Sequence, residues 1–183
     1  MEMNSIGLIE MTSIAAGMQA ADIMLKTSNV QLILSRTICS GKYIVLIGGD
    51  VAEVQAAVDA AVSQIDFAVI DTFVIPSVHP DIFPALSGHS EVKALEALGI
   101  IESFSVASLI EGADAAVKAA SVKLIEIRLA MALGGKAFCT LTGEVAAVTA
   151  AVDSGAKVIA DRGLLVNKIV IPQPRPELLS EMI

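Results

Sequence analysis

One domain-sized pattern occurs twice in this chain, and the duplication limits the possible folds more than any other feature. Ile6-Gly7-Leu8-Ile9-Glu10 returns as Leu98-Gly99-Ile100-Ile101-Glu102, and Asp22, Lys26 and Val30 return as Asp114, Lys118 and Val122, a shift of 92. Gly41-Lys42 answers Gly135-Lys136 at a shift of 94, and Val74-Ile75-Pro76 answers Val170-Ile171-Pro172 at 96. The first change of shift falls at a loop. There the first copy reads Cys39-Ser40-Gly41-Lys42, while the second ends in Leu133-Gly134-Gly135-Lys136, is two residues longer and lacks the thiol. The 183 residues therefore divide into two domains, 1–90 and 91–183.

Within each copy the apolar spacing alternates between the two regular periods. Ser5 to Met11 alternates and is rich in branched residues, as a strand requires. Thr12 or Ser13 then caps a helix over about Ile14 to Thr27, whose apolar positions are Ile14, Met18, Ala21 and Leu25, with Asn29 as a left-handed stop. Val30 to Arg36 and Lys42 to Ile47 read as strands around the loop Thr37-Ile38-Cys39-Ser40-Gly41. A helix from Val51 to Ile65 follows, with Asp50 and Glu53 spaced as a capping box, and a last strand runs over about Ala68 to Ile75.

The second copy repeats this order, with strands near Leu98 to Phe104, Val122 to Leu129, Lys136 to Thr142 and Leu164 to Ile171. Its helices run near Val106 to Ala119 and Val145 to Ala160. Strand, helix, strand, strand, helix, strand predicts an α+β chain of two tandem ferredoxin-like α/β sandwiches, each an antiparallel sheet with both helices on one face. Pro76, Pro80, Pro84 and Gly88 make the stretch 76–90 a connector, and the tail from Pro172 is Pro-broken before a short helix.

Composition narrows the function classes. The chain is 55% hydrophobic with a mean hydropathy of +0.74, yet only 3% aromatic, so Ala, Val, Ile and Leu supply the apolar surface. Two small domains with that much apolar surface lean on each other or on partner chains, the profile of an obligate oligomer. Charges or prolines interrupt every apolar run before the roughly 18 residues of a spanning helix. The amino terminus lacks the basic stretch and apolar core of a secretory signal, and a cytoplasmic protein is expected. A net charge of -8 without basic clusters excludes nucleic acid as a partner. Two cysteines at unrelated positions form no disulfide framework.

Gly7-Leu8-Ile9-Glu10, Ala20-Ala21-Asp22-Ile23-Met24-Leu25-Lys26, Gly48-Gly49-Asp50-Val51 and Val74-Ile75-Pro76 resemble the bacterial microcompartment shell domain. The set from Gly99-Ile100-Ile101-Glu102 to Val170-Ile171-Pro172-Gln173-Pro174 resembles the same domain again. Together they cover about the whole chain. The resemblance implies a tandem shell protein, not an enzyme, in which three chains form a flat six-lobed pseudohexamer that tiles edge to edge with other shell proteins. The loop Thr37-Ile38-Cys39 before Gly41-Lys42 is similar to that of the propanediol-utilisation T-type. That type implies one 4Fe-4S cluster held by Cys39 from three chains on the threefold axis, and Cys39 alone is carried over; the flanking Thr37, Ile38, Ser40 and Gly41 are expected to form the loop at the central opening. The cluster would relay electrons, with redox enzymes of the lumen as partners, or be transferred across the shell. Rotation supplies the physical rationale: a cubane needs several thiolates, and a residue beside a threefold axis appears three times around one point.

The residues alone leave other readings open. Cys39 by itself reads as a thiol in a turn. The same tile without iron has a metabolite pore rimmed by Cys39, and a free-standing ferredoxin-like chain is a small-ligand binder. Cys139 shares a strand face with Ala137 and Leu141 and reads as a buried apolar residue. Asp22 with Lys26 and Asp114 with Lys118 are spaced as helix ion pairs, and the resemblance implies that both lysines lie at tile edges. The family's arginine after Ile-Pro is absent: Ser77 and Gln173 stand there, and Arg175 lies two residues on. His79 and His89 fall in the connector as solvated side chains. Glu10 and Glu102 occupy equivalent places with no catalytic partner, and Gly48-Gly49-Asp50 lacks the Gly-Lys-Ser/Thr ending of a phosphate loop.

Overall fold

Ser5–Met11 forms a strand (β1) whose residues are all buried, and the following helix (α1, Ile14–Thr27) starts at Ser13. Ser13 has extended backbone, and its Oγ accepts a hydrogen bond from the N–H of Ala16 at 3.3 Å, satisfying one of the helix's open donors. The chain continues through β2 (Gln31–Ile38), β3 (Lys42–Gly49), α2 (Val51–Ile65), one 3-10 turn at Asp66–Ala68 and β4 (Val69–Pro76). The sheet order is β2-β3-β1-β4 with every neighbouring pair antiparallel. Because α1 joins β1 to β2 with β3 inserted between them, the unit has the split arrangement expected of a ferredoxin-like sandwich.

This computed structural model describes residues 4–89, 92, 94–131 and 133–180, and the chain falls into two compact units, Met1–Val78 and His79–Ile183. The second unit begins with a helix (α3, Ile82–Ser87) and then repeats the first: β5 (Ala97–Ser103), α4 (Val106–Ala119), β6 (Lys123–Arg128), β7 (Ala137–Gly143), α5 (Val145–Ala160) and β8 (Leu165–Pro172). A short α6 (Glu177–Ser180) ends it. Its sheet order is β6-β7-β5-β8, again antiparallel throughout.

In the first unit, Ile9 and Met11 of β1 and Tyr43, Val45 and Ile47 of β3 pack under Ala20, Met24, Val54, Ala57, Val58 and Ala61 of the two helices. The glycine of the repeated Gly-Leu-Ile-Glu motif has a packing reason. A Cβ on Gly7 would stand 2.6 Å from Val54 Cγ1 and 2.9 Å from Val58 Cγ2, and one on Gly99 would stand 2.7 Å from Val152 and 2.9 Å from Val148. Only a residue without a side chain lets the helix lie that close to the central strand.

Four local expectations fail. Asn29 is not among the residues with left-handed backbone; α1 instead ends on the extended Ser28. The capping box does not form: the Asp50 side chain makes no cap hydrogen bond, and the Glu53 carboxylate accepts the N–H of Asn29 at 3.0 Å. Ile14, Met18 and Leu25 of the expected apolar stripe are exposed, and the face that α1 buries is Ala16, Gly17, Ala20, Ala21 and Met24. The connector contains α3, which tolerates Pro84 because the first helical turn needs no N–H there.

Gly99→Ala should cost the second unit about 1–3 kcal/mol through overpacking. Chemical denaturation monitored by circular dichroism checks this, and an unchanged midpoint contradicts it.

Candidate functional site

The cysteine-bearing turn is built by the register of β2 against β3. Thr37 pairs with Tyr43 and Ile38 with Lys42, so strand pairing carries Thr37 and Ile38 to the end of β2, and the turn shrinks to Cys39, Ser40 and Gly41. The expected five-residue loop is therefore three residues long. Ile38 is buried, Thr37, Ser40 and Gly41 are exposed, and Cys39 is half-buried. Ser40 (φ 67) and Gly41 (φ 72) both have left-handed backbone. For a serine that conformation costs about 1–2 kcal/mol, and such strain persists where the surrounding structure imposes it, often at functional sites. A Cβ added at Gly41 would meet nothing within 4 Å, so the turn projects into open space.

Among the described residues, the second unit shows no such apex. Its β6 stops at Arg128 and β7 starts at Ala137, with left-handed backbone at Ala130, Gly134 and Gly135 and an exposed Met131 between. Cys139 lies inside β7, fully buried. Desolvation pushes its thiol up to about 12, against a smaller lowering by a backbone hydrogen bond with Ile101. A raised thiol pKa keeps the group neutral and unreactive below that pH, in line with the expected apolar role. The two units thus differ in chemistry at one turn.

Lys42 does not present a spare charge to Cys39. Its Nζ donates to Glu10 Oε1 at 2.8 Å, and Glu10 is 1% exposed. In the second unit Lys136 Nζ donates to Glu102 Oε1 at 2.9 Å, where the carboxylate is 30% exposed. The repeated glutamates that carry no catalytic partner are therefore the acidic halves of two ion pairs, joining the first strand of each copy to the first residue of β3 or to the residue just before β7. The sequence signal was the co-repetition of Lys42 and Lys136 with them.

The two candidate edge lysines differ in setting. Lys26 Nζ lies 2.6 Å from Asp22 Oδ2 with both side chains exposed. Lys118 pairs with Asp114, which is nearly buried and also accepts the backbone N–H of His79 at 2.8 Å. His79 Nδ1 accepts the N–H of Asp81, and Arg175 pairs with Glu177 on the tail at 2.6 Å. Among the described residues, no three His, Cys, Asp or Glu side chains converge as a metal site, and no helix is long and apolar enough to cross a membrane.

Two outcomes follow. Lys42→Met strands a buried carboxylate and should destabilise the first unit by about 3 kcal/mol, whereas Lys136→Met should cost about 1 kcal/mol or less because water reaches Glu102. Equal losses in denaturation would contradict this. In iron-free native protein at pH 8, iodoacetamide should label Cys39 and leave Cys139 unmodified until the chain is unfolded, as peptide mass spectrometry reads directly.

The BMC domain family matches residues 5–78 and 97–174, one copy in each half of the chain. The bacterial microcompartment shell protein PduT of Citrobacter freundii is 41% identical over 98% of this chain and 97% of its own length. The shell protein EutM of Salmonella typhimurium is 44% identical over 46% of this chain and 85% of its own length, a relative the size of one copy. The crystal structure of a microcompartment protein from Desulfitobacterium hafniense superimposes with a TM-score of 0.89 at 50% identity, covering 97% of this chain and 98% of that one. With two copies of the domain and a full-length likeness to such proteins, the chain belongs to the BMC domain family and is a tandem shell protein of a bacterial microcompartment, a structural component and not an enzyme.

Proposed function

We propose that this shell protein assembles as a homotrimer, six BMC units around one axis, and that Cys39 of three chains holds a 4Fe-4S cluster at the centre of the tile. The observation that carries the reading is the asymmetry between the two units. Only the first presents a thiol, and it does so at the apex of a strained three-residue turn with open space beside it.

The donor set fits the group on one condition. One chain offers a single thiolate at this turn, with no other ligand cluster among the described residues. Cubane clusters are held by cysteine thiolates, and rotation about a threefold axis multiplies one thiolate to three. When bound, the cluster supplies a one-electron carrier within the shell. Cys39 would hold it, and the tight turn would fix the direction of Sγ. The exposed Ser40 and Gly41 leave space for the turns of neighbouring copies to approach. Their backbone N–H groups, in left-handed conformation, offer positive dipole to an anionic cluster. Lys42 contributes no net charge there, because Glu10 neutralises it.

Lys26 and Lys118 are assigned to the tile edges, where other shell proteins meet this one. Redox enzymes of the lumen are the partners that such a cluster would serve.

Anaerobically purified protein should run as a trimer, show broad visible absorbance and contain about four irons per three chains. Cys39→Ser should lose iron and colour while remaining trimeric, and Cys139→Ser should keep both. Colourless protein after anaerobic reconstitution leaves a tile with an open pore and no cluster. A monomer removes the whole arrangement.

A further inference from the structure

In the first unit one side chain ties the α1–β2 loop to the start of α2. Glu53, in the first turn of α2, accepts the backbone N–H of Asn29 on Oε2 at 3.0 Å, and its backbone carbonyl accepts Ser28 Oγ at 2.7 Å. The carboxylate thus meets a loop donor beside the amino end of a helix, where negative charge is favoured.

The second unit keeps this backbone and loses the side chain. At the shift of 92, Ser28, Asn29 and Gln31 match Ala120, Ser121 and Lys123, and at 94 Gly49, Asp50 and Glu53 match Gly143, Glu144 and Ala147. Ser28 and Ala120 have nearly the same dihedrals (φ -152, ψ 171 against φ -153, ψ 164), as do Asp50 and Glu144 (φ -70, ψ 148 against φ -58, ψ 143). The N–H of Val30 donates to Ser28 O at 3.0 Å, and that of Val122 to Ala120 O at 2.9 Å. In both copies a glycine lets the loop lie close: a Cβ on Gly49 would stand 3.5 Å from Asn29 O, and one on Gly143 3.1 Å from Ser121 O. The Ser121 N–H is therefore placed as that of Asn29 is, with Ala147 where the first unit has a glutamate. It has no partner among the described residues.

A cleft of about 600 Å³ opens at that place, with Ser121, Val122, Lys123 and Ala147 in its lining. That is the size of a small-molecule site. Lys123, where the first unit has Gln31, makes no ion pair among the described residues. Glu96 and Glu144 also line the cleft, and the first unit shows that such neighbours do not exclude an anion. There Asp50 stands where Glu144 does, and Glu53 still seats its carboxylate, with the neutral Asn4 and Gln31 in place of Glu96 and Lys123. One carboxylate added to the cleft brings both places to the same charge.

We infer that the cleft between the α4–β6 loop and the start of α5 is a binding site for a small carboxylate. The ligand's carboxylate accepts the Ser121 N–H as Glu53 accepts that of Asn29. Lys123 pairs with its charge, and Val122 and Ala147 meet its apolar part. The first unit fills the matching place with its own Glu53, so each chain offers one such site. It lies wholly within the second unit and depends on neither the cluster nor the trimer proposed above.

The test is acetate titration of the isotope-labelled full chain, read at assigned backbone amides by NMR, with sodium chloride at equal ionic strength as the control. The Ser121 amide should shift and saturate with a Kd of about a millimolar, the strength that a backbone donor and one exposed ion pair provide. Chloride should leave it in place. Lys123→Gln should weaken binding about threefold. Ala147→Glu supplies the carboxylate from within: its Ser121 amide should already stand near the acetate-saturated position and respond no further. Glu53→Ala opens the first unit, and its Asn29 amide should become responsive to acetate. A Ser121 amide that acetate moves no more than chloride does overturns the proposal. So does an Ala147→Glu chain that still binds acetate at Ser121, or a Glu53→Ala chain whose Asn29 amide stays unresponsive.

Discussion

The docking of α3 against β6 and α4 is the contact that sets the two units apart. Without it the edges of both sheets would be alike. With it, the second unit's edge is buried and its Asp114 holds a backbone N–H, while the first unit keeps Leu32, Met18 and Leu25 in water. Apolar surface of this kind is worth about 25 cal/mol for each Å² removed from water. Left uncovered in a chain of mean hydropathy +0.74, it favours association with further copies.

Duplication also permits chemical asymmetry. Six identical units around an axis would place six identical turns at the centre, whereas a fused pair lets one turn change while the other keeps the packing. The first unit's turn is tight and ends in a thiol beside Ser40 and Gly41. The second unit's runs from 129 to 136 and carries none. In the proposed trimer three thiolates would suit a cubane, and the longer turns of the second units, which carry no thiol, would alternate with them. The ion pairs Glu10–Lys42 and Glu102–Lys136 tie each turn's base to its own central strand, so changes at the tip need not loosen the sheet.

Much of the architecture was legible because the repeat states it twice. The alternation at Ser5 to Met11, the cap at Ser13 and the spans of α1, α2, α4 and α5 all follow from local pattern. What failed was the assignment of partners. Periodicity shows that Ile14, Met18 and Leu25 lie on one side of α1, but not whether that side meets the chain's own sheet or something beyond it. The small residues Ala16, Gly17 and Ala20 face the sheet instead, since close helix approach needs little volume. Glu53 was spaced for a capping box, yet its carboxylate accepts the N–H of Asn29, a residue twenty-four positions earlier. Proline content hid α3, because a proline in the first helical turn breaks nothing. At the candidate site, Cys39 stood out by its absence from the other copy, while the neutralisation of Lys42 by a residue thirty-two positions earlier had no local signal.

The account depends on three sulfurs meeting around one axis. A crystal structure of the assembled protein, prepared without oxygen, measures that directly through the separations between Cys39 Sγ atoms of neighbouring copies. The account predicts three equal separations short enough for one cubane to span. Sulfurs pointing away from a common centre, or separated by more than a single cluster can bridge, would contradict it.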